Sequence, residues 1–520
     1  MTATWNILWA DDEIDMLRPH ILFLEEHGYH IRSVANGADA VANIRRESFD
    51  LVLLDEQMPG QDGLTTLVEI KKEAPSIPVI MITKSEEEGL MDDAIGRKID
   101  DFLTKPVNPS QILSACKKIL EGKKIREHQI SRDYVSEITA FSARLMQPMD
   151  YDDWIDLYLQ LMEWERELEG HSDASLLQIL QDQWSECNKA FSRYIEKEYP
   201  NWVQDDDGPC LSTKAFSQYV MPELKEGKKV WLFVLDCLRY DQWFELERAL
   251  TEDFSIERNS YYSILPTATP YARNALFSGM FPGEMEKLYP DLWQKGEDDD
   301  FSRNRQEHAL CDALLEKEKL KLNDETRYIK ILDSEESKFT LRKLDSYLKY
   351  PLVSVVVNFV DILAHKRGEV GVLKEMMPNE SAYRSLVASW FDHSTLLQIL
   401  RRLADEDCVV FITTDHGSIR AQRPSKVVGD KQTSTGLRYK FGRNLKCDKK
   451  HTIKIKNPSD YKLPCRSVTV EYVIAKDDFY LIFPTNYNKY VGLFRDSFQH
   501  GGISMEEMIL PFVRLEGKRS

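Results

Sequence analysis

The sequence predicts an α/β protein in which two parallel sheets are joined by a helical bundle. Over residues 5–121, short apolar strands alternate with amphipathic helical stretches. Over residues 122–205, apolar residues recur at the spacing of helices that pack on one another. After residue 210, three short apolar runs each end in aspartate. Such runs are typical of parallel strands, and ligands bind beyond the carboxyl ends of these strands.

Length and composition limit the possible classes of protein. A chain of 520 residues can hold two or three domains, and we predict them at 1–121, 122–205 and 206–520. The net charge of -18 argues against a large surface for duplex DNA. Eight scattered cysteines without a Cys-x-x-Cys pair favour reduced thiols. With no apolar run that could span a bilayer and no signal peptide, we expect a cytoplasmic protein.

Polar residues stand at the predicted strand ends of residues 1–121. They are Asp11, Asp12, Asp55, Thr83 and Lys105. The carboxylate of Asp55 can attack a phosphoryl group, and the paired aspartates supply the oxygen ligands that Mg²⁺ prefers. The lysine can neutralise the resulting acyl phosphate, and the threonine can hydrogen-bond one of its oxygens. The pattern predicts a phosphoryl-accepting site at one edge of a parallel sheet.

Over residues 5–121 this pattern resembles the receiver domain of two-component response regulators. The resemblance implies a flavodoxin-like fold and phosphorylation of Asp55 by a sensor histidine kinase, which would promote a homodimer. It also implies that Phe102 is an aromatic switch residue acting with Thr83 and Lys105. The implied magnesium ligands are Asp11, Asp12, Asp55 and the backbone carbonyl of Gln57. Lys84 departs from the family, which usually has a small residue after the threonine. The alternative is a flavodoxin-like domain with incidental acids.

Residues 122–205 are predicted to form a small helical bundle whose aromatic residues are core. Helical spacing is clear over Tyr134–Leu145, Trp154–Leu168 and Leu176–Tyr194, and Pro200–Pro209 is the predicted boundary. These helices are acidic and lack a basic recognition face, so they do not resemble a helix-turn-helix output.

Residues 206–520 carry a second set of polar residues at strand ends. The apolar runs 230–235, 352–360 and 408–414 are followed by Asp236, Asp361 and Asp415. His365 lies one helical turn beyond Asp361, and His416 follows Asp415, so imidazole and carboxylate can reach one ion. The nitrogen ligands favour zinc over magnesium. The alternative is that each aspartate caps the next helix.

Two threonines in the segment Leu265–Gly279 are candidate nucleophiles. Thr267 and Thr269 precede an amphipathic helix, and the N-terminus of a helix favours a phosphate. A threonine hydroxyl needs help to ionise at neutral pH, which a divalent metal supplies. The alternative is that both threonines are helix caps.

Taken in chain order, these motifs and a later His500-Gly-Gly resemble the alkaline-phosphatase superfamily, and most closely its PglZ domains. Together with the receiver, the chain resembles the family of PorX-type response regulators. The resemblance implies Thr269 as the nucleophile. It implies one zinc held by Asp361, His365 and His500, and a second held by Asp236, Asp415 and His416 beside Thr269.

The same resemblance implies a function. It implies a phosphodiesterase acting on cyclic or linear oligonucleotides, regulation of type IX secretion, and a sigma factor as a further partner. Two rival functions stay open. One is a phosphomonoesterase or sulfatase, although no Cys-x-Pro-x-Arg signature lies near Thr269. The other is a non-enzymatic regulator that binds a transcription factor.

Residues 420–456 are strongly basic in an acidic chain. The twelve cations are Arg420, Arg423, Lys426, Lys431, Arg438, Lys440, Arg443, Lys446, Lys449, Lys450, Lys454 and Lys456. We expect Arg438, Lys440 and Arg443 to bind an anionic substrate, and Tyr439 and Phe441 to stack on its bases. The alternative is a loop that balances acidic neighbours.

Overall fold

A computed structural model describes residues 5–84, 99–171, 173–205, 207–293, 304–368, 370–430, 433–465, 467 and 469–518. Lys431 of the basic segment lies outside these residues. The chain forms two compact units, Met1–Glu137 and Ile138–Ser520. The predicted α/β class is confirmed, since each unit contains a central sheet with helices between its strands. No helix within the described ranges is both long and apolar enough to cross a bilayer.

The first unit contains a five-stranded parallel sheet. Its strands are β1 (Trp5–Ala10), β2 (Tyr29–Val34), β3 (Leu51–Asp55), β4 (Val79–Thr83) and β5 (Asp101–Thr104), in the order β2-β1-β3-β4-β5. The described helices around it are α1 (Arg18–Glu26), α2 (Gly37–Ile44), α3 (Gly63–Glu73) and α4 (Pro109–Leu120). Strands β3 and β4 are buried along their whole length, as expected for a sheet covered on both faces.

Three long helices follow and confirm the predicted helical segment. They are α5 (Gly122–Leu145), α6 (Tyr151–Glu167) and α7 (Ala174–Gln204). Helix α7 continues through Pro200 and ends at Gln204, within the predicted boundary segment Pro200–Pro209. Proline removes one helical hydrogen bond, but Tyr199, Trp202 and Val203 on either side are buried. Their packing holds the last turn in place. The division between the two units falls inside α5, so α6 and α7 belong to the larger unit.

The larger unit is built on a six-stranded sheet in the order β7-β18-β10-β6-β9-β8. Its strands are β6 (Val230–Leu235), β7 (Phe254–Tyr262), β8 (Arg327–Ile331), β9 (Leu352–Val357), β10 (Val409–Thr413) and β18 (Ile509–Gly517). Strand β18 is antiparallel to both of its neighbours, and the other pairs are parallel. Since β6 lies between β10 and β9, the residues after these three strands meet at one edge.

Helices cover this sheet, and short strands form a smaller layer beside it. The described helices are α8 (Ser212–Ala215), α9 (Met221–Lys225), α10 (Tyr240–Arg248), α11 (Thr269–Ser278), α12 (Pro282–Leu288), α13 (Glu307–Lys317), α14 (Ser334–Tyr347), α15 (Phe359–Arg367), α16 (Gly371–Met376), α17 (Glu380–Asp392), α18 (Thr395–Ala404), α19 (Tyr487–Phe494) and α20 (Met505–Met508). The short strands are β11 (Ile419–Ala421), β12 (Arg423–Lys426), β13 (Tyr439–Gly442), β14 (Thr452–Ile455), β15 (Glu471–Ala475), β16 (Phe479–Ile482) and β17 (Ser497–Gln499).

Candidate functional site

The carboxyl edge of the larger sheet gathers the predicted metal ligands into two clusters. In one cluster, ligand atoms of Asp236, Asp415 and His416 lie within 4.8 Å of one another. The Nε2 atom of His416 is 3.7 Å from a carboxylate oxygen of each aspartate. All three side chains are fully buried, or nearly so. They come from the ends of neighbouring strands, as the sequence predicts.

The second cluster joins Asp361, His365 and His500, whose ligand atoms also lie within 4.8 Å of one another. The Nε2 atoms of the two histidines are 3.1 Å apart. Oδ1 of Asp361 lies 3.2 Å from one of them and 3.6 Å from the other. Helix α15 places Asp361 and His365 one turn apart on the same face.

His500 connects the two clusters. Its ring stacks on His416 with centroids 4.1 Å apart and an angle of 14°. The glycines that follow are required by space. Gly501 has φ of 111°, and a Cβ atom there would lie 2.6 Å from the Tyr439 ring. A Cβ atom on Gly502 would lie 2.4 Å from the Arg438 guanidinium. The His-Gly-Gly motif therefore lets this loop pack closely beneath the site.

The donor set fits metal ions. Four ligand atoms are buried without a hydrogen-bond partner among the described residues: Oδ1 of Asp236, Oδ1 of Asp361, Oδ2 of Asp415 and Nδ1 of His500. A buried carboxylate oxygen without a partner costs free energy, which coordination to a cation recovers. Three donors per cluster, of carboxylate and imidazole type, match the ligands of a catalytic zinc with open positions.

The histidines are held in the form that binds metal. Burial lowers the pKa of His416 to about 4 and that of His500 to about 3. Both rings are therefore neutral near pH 7, and a neutral imidazole is the metal-binding form. Burial and the neighbouring Asp236 raise the pKa of Asp415 well above its usual range. Burial opposes ionisation of Asp236 as well, but the Arg273 guanidinium and His416 leave its pKa lowered.

The two candidate nucleophiles occupy different positions. Thr269 is the first residue of α11, is fully buried, and its Oγ1 lies 2.9 Å from Nε2 of His416. The Thr267 hydroxyl instead donates to the carbonyl of Gly502 at 2.8 Å and accepts from the amide of Gly501 at 3.1 Å. Thr267 thus stabilises the loop that follows His500 through hydrogen bonds, while Thr269 contacts His416 of the first metal cluster.

Several residues of the site were missed by sequence reasoning. Arg273 donates to Asp236 at 2.5 Å and to Glu307 at 2.6 Å, and all three are buried. Asn358 also donates to Asp236, at 2.8 Å. The position of Arg273 one helical turn after Thr269, and a polar Asn358 inside an apolar run, were available signals. Glu307 lies in an ordinary amphipathic helix and has no such signal.

The basic segment is corrected in part by the structure. Arg438 is fully buried and pairs with Glu507 at 2.6 Å, so its charge is used inside the fold. Tyr439 and Phe441 are buried in β13, which removes the expected stacking surface. Arg443 is exposed, as expected for a surface cation. The paired members of the segment are Arg420 with Asp496, Arg423 with Asp478, Arg438 with Glu507, and Lys454 with Glu471. These four cations therefore neutralise acidic side chains of the fold, as the alternative interpretation predicted.

Lys440 differs from both the ion-paired Arg438 and the exposed Arg443. Its side chain is buried in the wall of a cavity that also borders His365. The predicted contact of this lysine with a ligand therefore concerns a cavity and not an open surface.

The smaller unit contains the predicted acidic site. Ligand atoms of Asp11, Asp12 and Asp55 lie within 4.8 Å of one another, after β1 and at the end of β3. Lys105 Nζ contacts Asp55 at 2.9 Å and Asp11 at 3.0 Å. Burial raises the pKa of Asp55 to about 6, although Lys105 opposes the shift. Gly63 packs against this strand end, because a Cβ atom there would lie 2.4 Å from the Asp55 carbonyl oxygen.

The other receiver residues lie at the same strand ends. Thr83 ends β4, is buried, and donates a hydrogen bond to Glu56. Phe102 lies in β5 with 37% of its surface exposed. Gln57 is exposed in the loop after β3. The parallel sheet thus brings Asp55, the predicted phosphoryl acceptor, to one edge together with the threonine and the lysine.

The folds and their sites define the class of protein, a receiver domain followed by a helical linker and a metal-binding α/β domain. Three family models agree. The models are the response regulator receiver domain at residues 7–117, the PorX response regulator linker domain at 124–203, and the BREX system PglZ alkaline phosphatase-like domain at 215–515. The chain belongs to the PglZ family, in the three-domain arrangement of the PorX-type response regulators.

Individual relatives match the receiver part. Protein PilH of Pseudomonas aeruginosa is 35% identical over 121 residues, which is 22% of this chain and 98% of PilH. Transcriptional regulatory protein ResD of Bacillus subtilis is 34% identical over 119 residues, or 23% of this chain and 49% of ResD. A CheY-like receiver domain structure from Methanospirillum hungatei has 28% identity and a TM-score of 0.23, and covers 24% of this chain and 98% of that one.

Proposed function

We propose that this protein is a dinuclear-zinc phosphodiesterase whose activity is controlled by phosphorylation of Asp55. The substrates proposed are cyclic or linear oligonucleotides. The observation that carries the proposal is the position of Thr269, whose hydroxyl lies 2.9 Å from His416, a member of a cluster with unsatisfied carboxylate oxygens. This position supports attack of the hydroxyl on phosphorus.

In the proposed reaction, the zinc ions and the residues of the chain have separate roles. Zinc, when bound, lowers the pKa of a hydroxyl and withdraws charge from phosphoryl oxygens. Asp361, His365 and His500 would hold one ion, and Asp236, Asp415 and His416 the other. The Thr269 hydroxyl would give up its proton and attack phosphorus, the bond from phosphorus to the leaving oxygen would break, and that oxygen would take up a proton to leave as an alcohol. The intermediate is then a phosphodiester between Thr269 and the rest of the substrate. Attack by water on this ester releases the product and restores the hydroxyl.

Neighbouring residues fix the position of the nucleophile. Asn304 donates to the Thr269 carbonyl at 3.3 Å and to Glu307 at 2.6 Å. Glu307 in turn holds Arg273, which holds Asp236. This chain of buried contacts keeps the threonine and the aspartate at a constant separation, as an in-line displacement requires.

Control by the receiver is the second part of the proposal. A sensor histidine kinase would phosphorylate Asp55, with Mg²⁺ held by Asp11, Asp12, Asp55 and Gln57. Phosphorylation would act through Thr83, Lys105 and Phe102 and promote a homodimer. The PorX-type family supports a role in type IX secretion, with a sigma factor as a further partner. The linker helices α6 and α7 belong to the metal-binding unit, which makes them the proposed route of the signal.

Metal content and substrate preference together test the proposal. We expect about two zinc ions per chain and hydrolysis of short oligonucleotides and of bis(p-nitrophenyl) phosphate. Rates on p-nitrophenyl phosphate distinguish a phosphodiesterase from a phosphomonoesterase. A protein that holds zinc but cleaves none of these esters would be a non-enzymatic regulator.

A further inference from the structure

A cavity of about 620 Å³ adjoins the second metal cluster. His365, one of the candidate ligands, forms part of its wall, and Gln499 beside His500 forms another part. This volume lies within the range of small-molecule sites. Whatever occupies the cavity therefore lies next to the position at which a phosphoryl group would react.

Lys440 places one amine in a mostly apolar wall. The residue is 1% exposed, and its Nζ donates to the carbonyls of Gly436 at 2.8 Å and Ser434 at 3.4 Å. No carboxylate in the described part of the chain pairs with it, and burial lowers its pKa to about 7. In its protonated form the amine has three N–H donors, and these two carbonyls use two. One donor is left for a ligand that carries an acceptor oxygen.

Three aromatic rings also line the cavity, those of Phe483, Tyr490 and Phe494. Nζ of Lys440 lies 4.2 Å from the centroid of the Phe483 ring. The rings of Tyr490 and Phe494 stack at 5.9 Å with an angle of 6°. Both come from α19, which has no fully buried residue, and 36% of Tyr490 is exposed. Flat rings with an exposed face suit a flat aromatic ligand, and base–aromatic stacking is a large contribution to binding single strands.

We propose that this cavity is the subsite for the nucleobase next to the scissile phosphate, with Lys440 donating a hydrogen bond to a carbonyl oxygen of that base. This inference rests on the proposed phosphodiesterase function and names its substrate more closely. Guanine and uracil offer the protonated amine an exocyclic carbonyl oxygen where adenine carries an amino donor, so these bases are favoured over adenine. A phosphate is a poorer occupant, since Lys440 is the one lysine or arginine among the described residues that line the wall.

The experiment compares a guanine dinucleotide, an adenine dinucleotide and bis(p-nitrophenyl) phosphate as substrates of the zinc-loaded full chain. The wild type is expected to prefer guanine to adenine in kcat/KM. Lys440→Met, which keeps the aliphatic stem, should reduce that preference about ten-fold. Phe483→Leu should lower kcat/KM for both dinucleotides relative to the chromogenic diester. Lys450→Met is the matched control, since it makes the same substitution at an exposed lysine of the same segment.

The outcomes separate the subsite from the enzyme. If the wild type cleaves diesters but Lys440→Met leaves the base preference within two-fold, the subsite is wrong and the phosphodiesterase stands. If the wild type cleaves no diester, the proposed function fails, and calorimetric titration with the guanine dinucleotide decides the subsite. Weaker binding by Lys440→Met but not by Lys450→Met supports it, and equal binding by all three proteins overturns it. Thermal unfolding of each variant confirms that the fold is intact.

Discussion

Oγ1 of Thr269 lies 2.9 Å from Nε2 of His416, and neither side chain is exposed to solvent. Because burial lowers the pKa of His416 to about 4, this imidazole is neutral near pH 7. The His416 ring beside the hydroxyl is therefore in the form that binds a metal ion near pH 7. This pair is the centre of the candidate site, and the first prediction concerns it.

Removing the hydroxyl of Thr269 should abolish hydrolysis without loss of metal. We expect Thr269→Ala to lower kcat for a diester at least about 1,000-fold, because the covalent step has no nucleophile. Thr269→Ser should keep part of the activity. Kinetics and metal analysis on the same preparations check this. An alanine variant that works as fast as the serine variant would place the nucleophile elsewhere.

Removing one ligand should lower the metal content by one ion. We expect His365→Ala to reduce bound zinc from about two ions per chain to about one, since three donors hold each ion. Elemental mass spectrometry measures this. His308→Ala is the matched control, because His308 also forms an i,i+4 pair, with Asp312 at 3.6 Å, outside both clusters. Equal zinc content in both variants would contradict the assignment.

Helix α7 should stabilise the segment that follows His500. Asn188 accepts from the amide of Met505 at 2.9 Å and donates to both carboxylate oxygens of Glu506, at 3.0 and 3.2 Å. Asn188→Ala leaves these groups without their partner, so we expect the free energy of unfolding to fall by about 2 kcal/mol. Asn201→Ala, at an exposed position of the same helix, is the control. Urea unfolding measures the stability of both variants. Similar midpoints would contradict a stabilising role of Asn188 for the segment after His500.

Lys440 should make the free energy of unfolding depend on pH. Burial lowers the pKa of Lys440 to about 7 in the folded protein, against about 10.4 for an unperturbed lysine. Between these values the unfolded chain binds more protons, so stability rises with pH. Relative to Lys440→Met, the wild type should gain about 2 kcal/mol between about pH 7 and about pH 10. Parallel pH profiles of wild type and variant would contradict this.

Asp55 should be the site of phosphoryl transfer. With acetyl phosphate and Mg²⁺, the wild type should gain the mass of one phosphoryl group, and Asp55→Asn should gain none. Asp101→Asn is the control. Asp101 is the first residue of β5, and its carboxylate pairs with the exposed Lys118. Intact-protein mass spectrometry reads the result. Phosphorylation of the Asp55→Asn protein would move the acceptor to another residue.

Local sequence patterns predicted the parts of the site that follow strands. Asp236, Asp361 and Asp415 could be found because parallel strands share a carboxyl edge, and that edge holds all three. His500 has no strand of the main sheet before it, so only its likeness to a family motif indicated it. The resemblance also led to Thr269 over Thr267, and the two hydroxyls do face different partners.

Contacts between distant segments could not be predicted. Arg438 was expected at the surface, but its partner Glu507 lies 69 positions away and buries it. Helical spacing was clear only as far as Tyr194, but α7 continues through Pro200 to Gln204, because packing of Tyr199 and Trp202 outweighs the missing hydrogen bond. The antiparallel strand β18 likewise follows from pairing with β7 and β10, which a local pattern does not reveal.

The interior position of β18 has a consequence for biosynthesis. Residues 509–517 fill the gap between β7 and β10, so the six-stranded sheet cannot close until they have left the ribosome. The receiver has its own complete sheet by residue 104 and can fold while the rest is being translated. A message truncated ahead of codon 509 would therefore yield a folded phosphate acceptor without a working catalytic half.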